Sequence, residues 1–219
     1  MARLLIAGAS GLVGKIALWA ALDDARVDQV VSIGRRPLPI QHPKLEQQLS
    51  DFLSPLPDLG RFDGALCALG TTIRKAGSQA AFRAVDHDAV LGFARAARLA
   101  GAERFALVSS VDANPAARSF YLSVKGDTER DLEAIGFPIL VRLRPGLIIG
   151  DRAERRPAEW LFQKLNPLVN PLLLGSLRRY RSIAATTIAQ ALLNAALAAT
   201  TSAVLEFDGI RAMAGSTDA

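Results

Sequence analysis

Residues 8–14 read Gly-Ala-Ser-Gly-Leu-Val-Gly and follow directly on the apolar run Leu4-Leu5-Ile6-Ala7. Three glycines three residues apart, between an apolar strand and a helical pattern, form an anion-binding device. The first turn of a helix presents backbone N–H groups with no intrahelical partner and a partial positive charge. Gly8 permits the tight turn, Gly11 lets a pyrophosphate approach the backbone, and Gly14 lets the helix pack close to the sheet.

Outward from this loop the chain alternates. Arg3–Ala7, Gln29–Ile33, Leu45–Phe52, Asp63–Leu69, Phe105–Ser109 and Ile139–Leu143 read as strands, with Leu147–Ile149 and Ala203–Phe207 as later candidates. Between them lie helical patterns at Gly11–Leu22, Ser78–Ala100, Leu122–Ile135 and Thr186–Ala199, the first with Leu12, Ile16, Trp19 and Ala20 on its apolar face. The strands are apolar throughout, which points to a parallel sheet covered on both faces. After Gly150 the regularity weakens, with a helix-like piece around Glu159–Leu165 between Gly150 and Pro167.

Half of the 219 residues are apolar, a globular composition. The apolar N-terminal run breaks at Gly8 and is read as a buried strand, not an export signal. No uninterrupted apolar run is long enough to span a membrane. The lone cysteine, Cys67, excludes an intramolecular disulfide and fits a reducing, cytoplasmic setting; it reads as a small buried residue. His42 and His87 stand at no metal-ligand spacing, so no metal is expected. The net charge of +5 rests on short clusters, and only Tyr180 interleaves Arg178, Arg179 and Arg181, so nucleic acid is an unfavoured partner.

The end of the second strand selects the cofactor. An acidic residue there would hold the 2′-hydroxyl of NAD(H); this chain has Gly34-Arg35-Arg36, which suits the 2′-phosphate of NADP(H). NAD(H) is the less favoured cofactor. Asp51-Phe52, after the third strand, is positioned to flank the adenine.

Tyr121 and Lys125 stand four apart in Tyr-Leu-Ser-Val-Lys, hence on one helix face. An ammonium beside a phenol stabilises the phenolate, and such a tyrosine exchanges a proton with a carbonyl or alcohol oxygen. Ser109 and Ser110 end the fifth strand, where a hydroxyl can hold that oxygen; Ser110 is preferred.

The order of glycine loop, paired serines and Tyr-x-x-x-Lys resembles the short-chain dehydrogenase/reductase superfamily. The stretches CALGTTIRKAG (67–77), YLSVKGDTE (121–129), RPGLIIGDR (144–152) and RPAEWL (156–161) resemble its atypical Tat-interacting-protein 2 (CC3)-like group, over residues 1 to about 195. The resemblance implies an α/β fold, a Rossmann-type doubly wound parallel sheet with a small C-terminal lid region, and an NADP(H)-dependent Ser-Tyr-Lys oxidoreductase. Ser110, Tyr121 and Lys125 become the catalytic residues. Gly8, Ser10, Gly11, Leu12 and Val13 would line the pyrophosphate, Arg35 and Arg36 the 2′-phosphate, and Leu69, Gly70 and Thr71 the ribose. Lys125 would hold the nicotinamide ribose, and Arg144, Pro145 and Gly146 would touch the nicotinamide side. The superfamily often has an asparagine in the long helix for proton relay; here Asp86 or His87 stands in its place.

The whole chain, 1–219, reads as one dinucleotide-binding domain with residues 151–185 as a candidate lid. The roughly 70 residues after Gly150 are too few for a complete nucleotide-sugar site, so a small carbonyl or alcohol substrate is expected. Arg152, Arg155, Arg156 and Trp160 would offer it charge and an aromatic wall. The apolar helix 78–100 is suited to a homodimer face. An NADP(H)-binding regulator with little turnover is the alternative function.

Overall fold

The computed structural model of the chain describes residues 1–52, 60–150, 170 and 173–215. Seven strands form one parallel sheet: β1 (Ala2–Ala7), β2 (Val27–Gly34), β3 (Leu45–Leu49), β4 (Gly64–Cys67), β5 (Arg104–Val108), β6 (Ile139–Leu143) and β9 (Ala203–Leu205). Their order across the sheet is β3-β2-β1-β4-β5-β6-β9. The order reverses between β1 and β4, and a crevice at the carboxyl ends of those two strands is where open α/β sheets bind nucleotides. Two further short strands, β7 (Ile148–Ile149) and β8 (Ile183–Ala184), pair with each other outside this sheet.

The apolar strand runs serve two cores. Leu4 and Ile6 of β1 face one cluster and Leu5 and Ala7 the other; Leu66 and Ala65 divide in the same way on β4. The first core is covered by α1 (Leu12–Asp23) and by the alanine-rich α6 (Ala185–Ala198), with α7 (Phe207–Ala214) behind. Small side chains on α6 bring its backbone onto the sheet: a Cβ on Gly64 would meet the Ala196 carbonyl oxygen at 2.3 Å. On α1, Val13, Ala17, Leu18, Ala21 and Leu22 are buried, whereas Trp19, expected on that apolar face, is 40% exposed. The indole falls on the outer side of the stripe formed by positions 13, 17, 18, 21 and 22.

The second core lies under α4 (Ala89–Leu99), with Phe93 and Phe105 at its centre. The helix expected over 78–100 is present as one unbroken run, Gln79–Leu99, with a widened π-turn within it. After α2 (Ile73–Ala76), α3 (Gln79–Arg83) begins at Ser78, whose hydroxyl accepts from Ala81 N–H. A π-helical turn, Ala84–Asp88, then leads into α4. Within that turn the Asp86 carbonyl accepts the Thr128 hydroxyl at 2.9 Å. Such widened turns recur at functional sites. The apolar side chains of α4 (Val90, Leu91, Phe93, Ala94, Ala97) are spent on this core, which accounts for the apolarity that suggested a dimer face.

The candidate lid is described only from residue 173 and at 170. Its 3₁₀ turn, Gly175–Tyr180, precedes β8. The helix expected at Glu159–Leu165, and Arg152, Arg155, Arg156 and Trp160, lie outside the described residues.

Candidate active site

Gly8 follows β1 with φ +87°, and a Cβ on it would come within 2.4 Å of the Ala68 backbone. Only glycine fits the turn where β1 and β4 diverge. A Cβ on Gly14 would strike the Gly8 carbonyl oxygen at 2.1 Å, so α1 starts in direct contact with the loop. Gly11 differs. Its Cβ would meet only the Gly8 oxygen at 3.3 Å, and it is exposed together with Ser10. Gly11 is also the N-cap of α1; no side chain caps the helix and no acidic residue lies in its first turn. The backbone at Gly11, Leu12 and Val13 therefore presents an open, positively polarised surface suited to a pyrophosphate. Val13 itself is buried, so only its backbone can serve there.

β2 ends at Gly34, and Arg35 and Arg36 follow it, both exposed. Neither guanidinium is engaged by another described residue. Phe52 departs from expectation. Its ring lies in the second core, edge-on to Phe93 at 6.2 Å between centroids, and cannot flank an adenine. The left-handed backbone at Phe52, φ +66°, turns its side chain inward after β3.

Leu69, Gly70 and Thr71 leave β4 beside the glycine loop and cross over Lys125. A Cβ on Gly70 would lie 3.4 Å from Asp86 Oδ1 and 3.8 Å from Lys125 Nζ. Tyr121 and Lys125 stand one turn apart on α5 (Phe120–Glu133). Tyr121 is half-buried with its ring against Phe82, 5.6 Å between centroids. Lys125 is 5% exposed, and its Nζ lies 2.8 Å from Asp86 Oδ1. Burial works against the Lys125 ammonium, but the Asp86 carboxylate and then Tyr121 outweigh it and hold its pKa above the ordinary lysine value. Asp86, rather than His87, therefore stands by the lysine. His87 faces elsewhere, with Asp88 at Nδ1, 2.7 Å, and Asp131 at Nε2, 2.9 Å.

The two serines separate. Ser109 is buried and donates to Glu129 Oε1 at 2.5 Å. Ser110 is half-buried, and among the described residues its hydroxyl bonds only the nearby Val111 carbonyl, at 3.2 Å. Glu129, one turn beyond Lys125, also receives the Arg144 guanidinium. The Arg144 guanidinium is thereby held by Glu129 through Nε and Nη2. Pro145 is buried and its carbonyl accepts the Val111 N–H at 3.0 Å. A Cβ on Gly146 would meet the Tyr180 and Arg181 carbonyl oxygens at 3.0 Å, so this glycine admits the C-terminal segment. Glu129 escaped the sequence reading, although Tyr121, Lys125 and Glu129 at spacings of four are a polar stripe on a packed helix.

Cys67 is fully buried, and burial pushes its thiol up to about 12. The arginine cluster near the lid is internally bonded: Arg178 to Asp208, Arg179 to Tyr180, and Arg181 to the Leu173 carbonyl. No group of potential metal ligands occurs among the described residues, and no helix among them is long and apolar enough to cross a membrane.

No family model matches the chain. It is 38% identical over 167 residues to Protein HTATIP2 of Rattus norvegicus, covering 74% of this chain and 69% of that protein. It is 32% identical over 219 residues to Protein FMP52, mitochondrial, of Coccidioides immitis (strain RS), covering 91% and 87%. Among solved structures it is similar to the Bordetella bronchiseptica enzyme WbmH in complex with NAD+, with TM-score 0.71, 17% identity and coverage of 98% and 79%. It is also similar to UDP-N-acetylglucosamine 4-epimerase from Bacillus cereus, with TM-score 0.70, 13% identity and coverage of 100% and 83%. The structural likenesses show a Rossmann-like α/β fold.

Proposed function

The chain belongs to the HTATIP2/FMP52 family, an atypical short-chain dehydrogenase/reductase group, and on that premise we propose that it is an NADP(H)-dependent oxidoreductase acting on a small carbonyl or alcohol. The observation that carries the reading is the pairing of Tyr121 with the buried Lys125 ammonium beneath the Leu69–Thr71 loop, beside an uncapped helix N-terminus.

The residues present fit a dinucleotide. Gly11 leaves the α1 terminus open, and Arg35 and Arg36 stand unengaged where a 2′-phosphate would lie. When bound, the reduced nicotinamide supplies a hydride. The Tyr121 hydroxyl gives a proton to the substrate oxygen in reduction and takes one in oxidation. Lys125 biases that exchange by its charge and anchors the ribose. Ser110, whose hydroxyl has only a weak local bond, orients the substrate oxygen. Ser109 is excluded from that role by its bond to Glu129.

Charge-assisted bonds to a phosphate contribute about 1.5–3 kcal/mol each. Removing both Arg35 and Arg36 is therefore expected to weaken NADPH binding at least about tenfold and leave NADH binding unchanged. Fluorescence titration of the wild type and the Arg35→Ala, Arg36→Ala variant reads this directly. Failure of the wild type to bind either nucleotide would remove the cofactor reading, and equal affinities in wild type and variant would remove the NADP(H) preference.

The regulatory alternative differs only in turnover. Tyr121→Phe abolishes carbonyl reduction and preserves NADPH binding in an enzyme, whereas a sensor shows no reduction to abolish. The free, buried Cys67 fits any reducing compartment, the cytoplasm included, and the fungal relatives are named mitochondrial.

A further inference from the structure

Asp86 is 1% exposed. A carboxylate at that depth needs a cation and hydrogen-bond donors. Its Oδ2 accepts the Thr71 N–H at 2.8 Å. Its Oδ1 has the Lys125 ammonium 2.8 Å away and accepts no regular hydrogen bond from any described group. Its own carbonyl is held by the Thr128 hydroxyl. One residue of the π-helical turn thus joins three things: the loop leaving β4, the lysine of α5 and the threonine one turn below it.

An asparagine at position 86 could accept the Thr71 N–H equally well. It would bring no charge to the lysine. The carboxylate therefore does something that the loop contact alone does not require. The titratable groups facing Lys125 are Asp86, Tyr121 on its own helix and Cys67 on β4. The Cys67 thiol is held neutral by burial, with its pKa pushed up to about 12. Asp86, ahead of Tyr121, is the main group that counters the desolvation of the ammonium.

We infer that Asp86 is a positioning residue, whose carboxylate keeps Lys125 an ammonium at one fixed place and ties that lysine to the Leu69–Thr71 loop. The inference rests on the cofactor reading above, in which Lys125 holds the nicotinamide ribose. With Asp86 present, Lys125 stays charged well above neutral pH. Without the carboxylate, burial is the dominant influence and lowers the lysine pKa, so the anchor is lost as pH rises.

The test is NADPH affinity by fluorescence titration from about pH 7 to pH 10, for wild type and Asp86→Asn. The wild type is expected to bind with nearly constant affinity over that range. Asp86→Asn is expected to lose at least about tenfold between the two ends, because a desolvated lysine without its partner deprotonates there. Adenosine 2′,5′-bisphosphate, which lacks the nicotinamide and the ribose that carries it, should bind both proteins without this dependence. A flat Asp86→Asn profile, a decline shared equally by wild type, or a decline seen also with adenosine 2′,5′-bisphosphate overturns the inference while leaving the cofactor reading standing. A wild type that binds no NADPH at any pH overturns both. If Asp86→Asn does not fold, thermal melting of Asp86→Asn with Lys125→Met decides. Recovery of folding shows that the carboxylate is needed for the ammonium, and no recovery overturns the inference.

Discussion

Glu129 and Arg144 form a two-pronged ion pair: Nη2 meets Oε2 at 2.6 Å, and Nε meets Oε1 and Oε2 at 3.0 and 3.2 Å. The carboxylate is 2% exposed and also takes the Ser109 hydroxyl. The pair fastens α5 to the ends of β5 and β6. It does so on the same helix stripe that carries Tyr121 and Lys125. Its guanidinium is held above the ordinary arginine pKa, first by the Glu129 hydrogen bonds, against burial.

Glu129→Gln leaves Arg144 without its counter-charge. Breaking one side of a buried pair costs about 3–5 kcal/mol, and here the lower end applies because the arginine retains some access to water. Urea denaturation followed by circular dichroism should show that loss. A midpoint equal to that of the wild type would mean that the pair contributes nothing to the fold.

The serines should separate by phenotype. Ser109→Ala removes a hydrogen bond to a buried carboxylate and should cost about 1.5–3 kcal/mol of stability. Ser110→Ala should leave the melting temperature unchanged and lower the turnover of a reducible aldehyde about a hundredfold. Melting curves and NADPH consumption, measured on both variants, check the assignment; the reverse pattern would exchange the two roles.

Cys67 should be inert in the folded protein. Burial pushes its thiol to about 12 and leaves no accessible surface, and the thiolate is the reactive form. A thiol-reactive disulfide reagent at about pH 8 should release no chromophore until denaturant is added, and then one equivalent. Rapid release from native protein would contradict the packing of β4.

Arg26 beside Asp24 holds that carboxyl below the usual aspartate range, chiefly through their side-chain hydrogen bond. A depressed carboxylate contributes stability above its unfolded pKa, near 4, and the contribution disappears as pH falls through the folded value. The arginine is half exposed, so the contribution is at most about 1 kcal/mol. Asp24→Asn should be less stable than wild type at pH 7, and the gap should shrink as pH falls below the unfolded aspartate value near 4. A gap that persists in acid would assign the effect to backbone geometry.

The glycine loop was readable because each glycine answers a local demand: a positive φ at Gly8, contact of helix with loop at Gly14, and an open face at Gly11. The parallel sheet was readable because strands buried on both faces must be apolar throughout. Trp19 and Phe52 were misjudged at the level of side-chain direction. A shift of one position around a helix, or one left-handed residue after a strand, moves a ring between solvent and core without altering composition.

Tyr121 and Lys125 could be paired from their spacing, since a helix brings i and i+4 together whatever surrounds it. The partners of that pair could not. Asp86 precedes Lys125 by 39 positions, and Glu129 finds Arg144 only where β6 ends beside α5. Short-range order determines which groups share a helix face or a turn, because backbone geometry repeats every few residues. Which carboxylate neutralises a buried cation is decided by packing, when desolvation makes an unpaired charge too costly and the fold brings distant segments together to supply its counterpart.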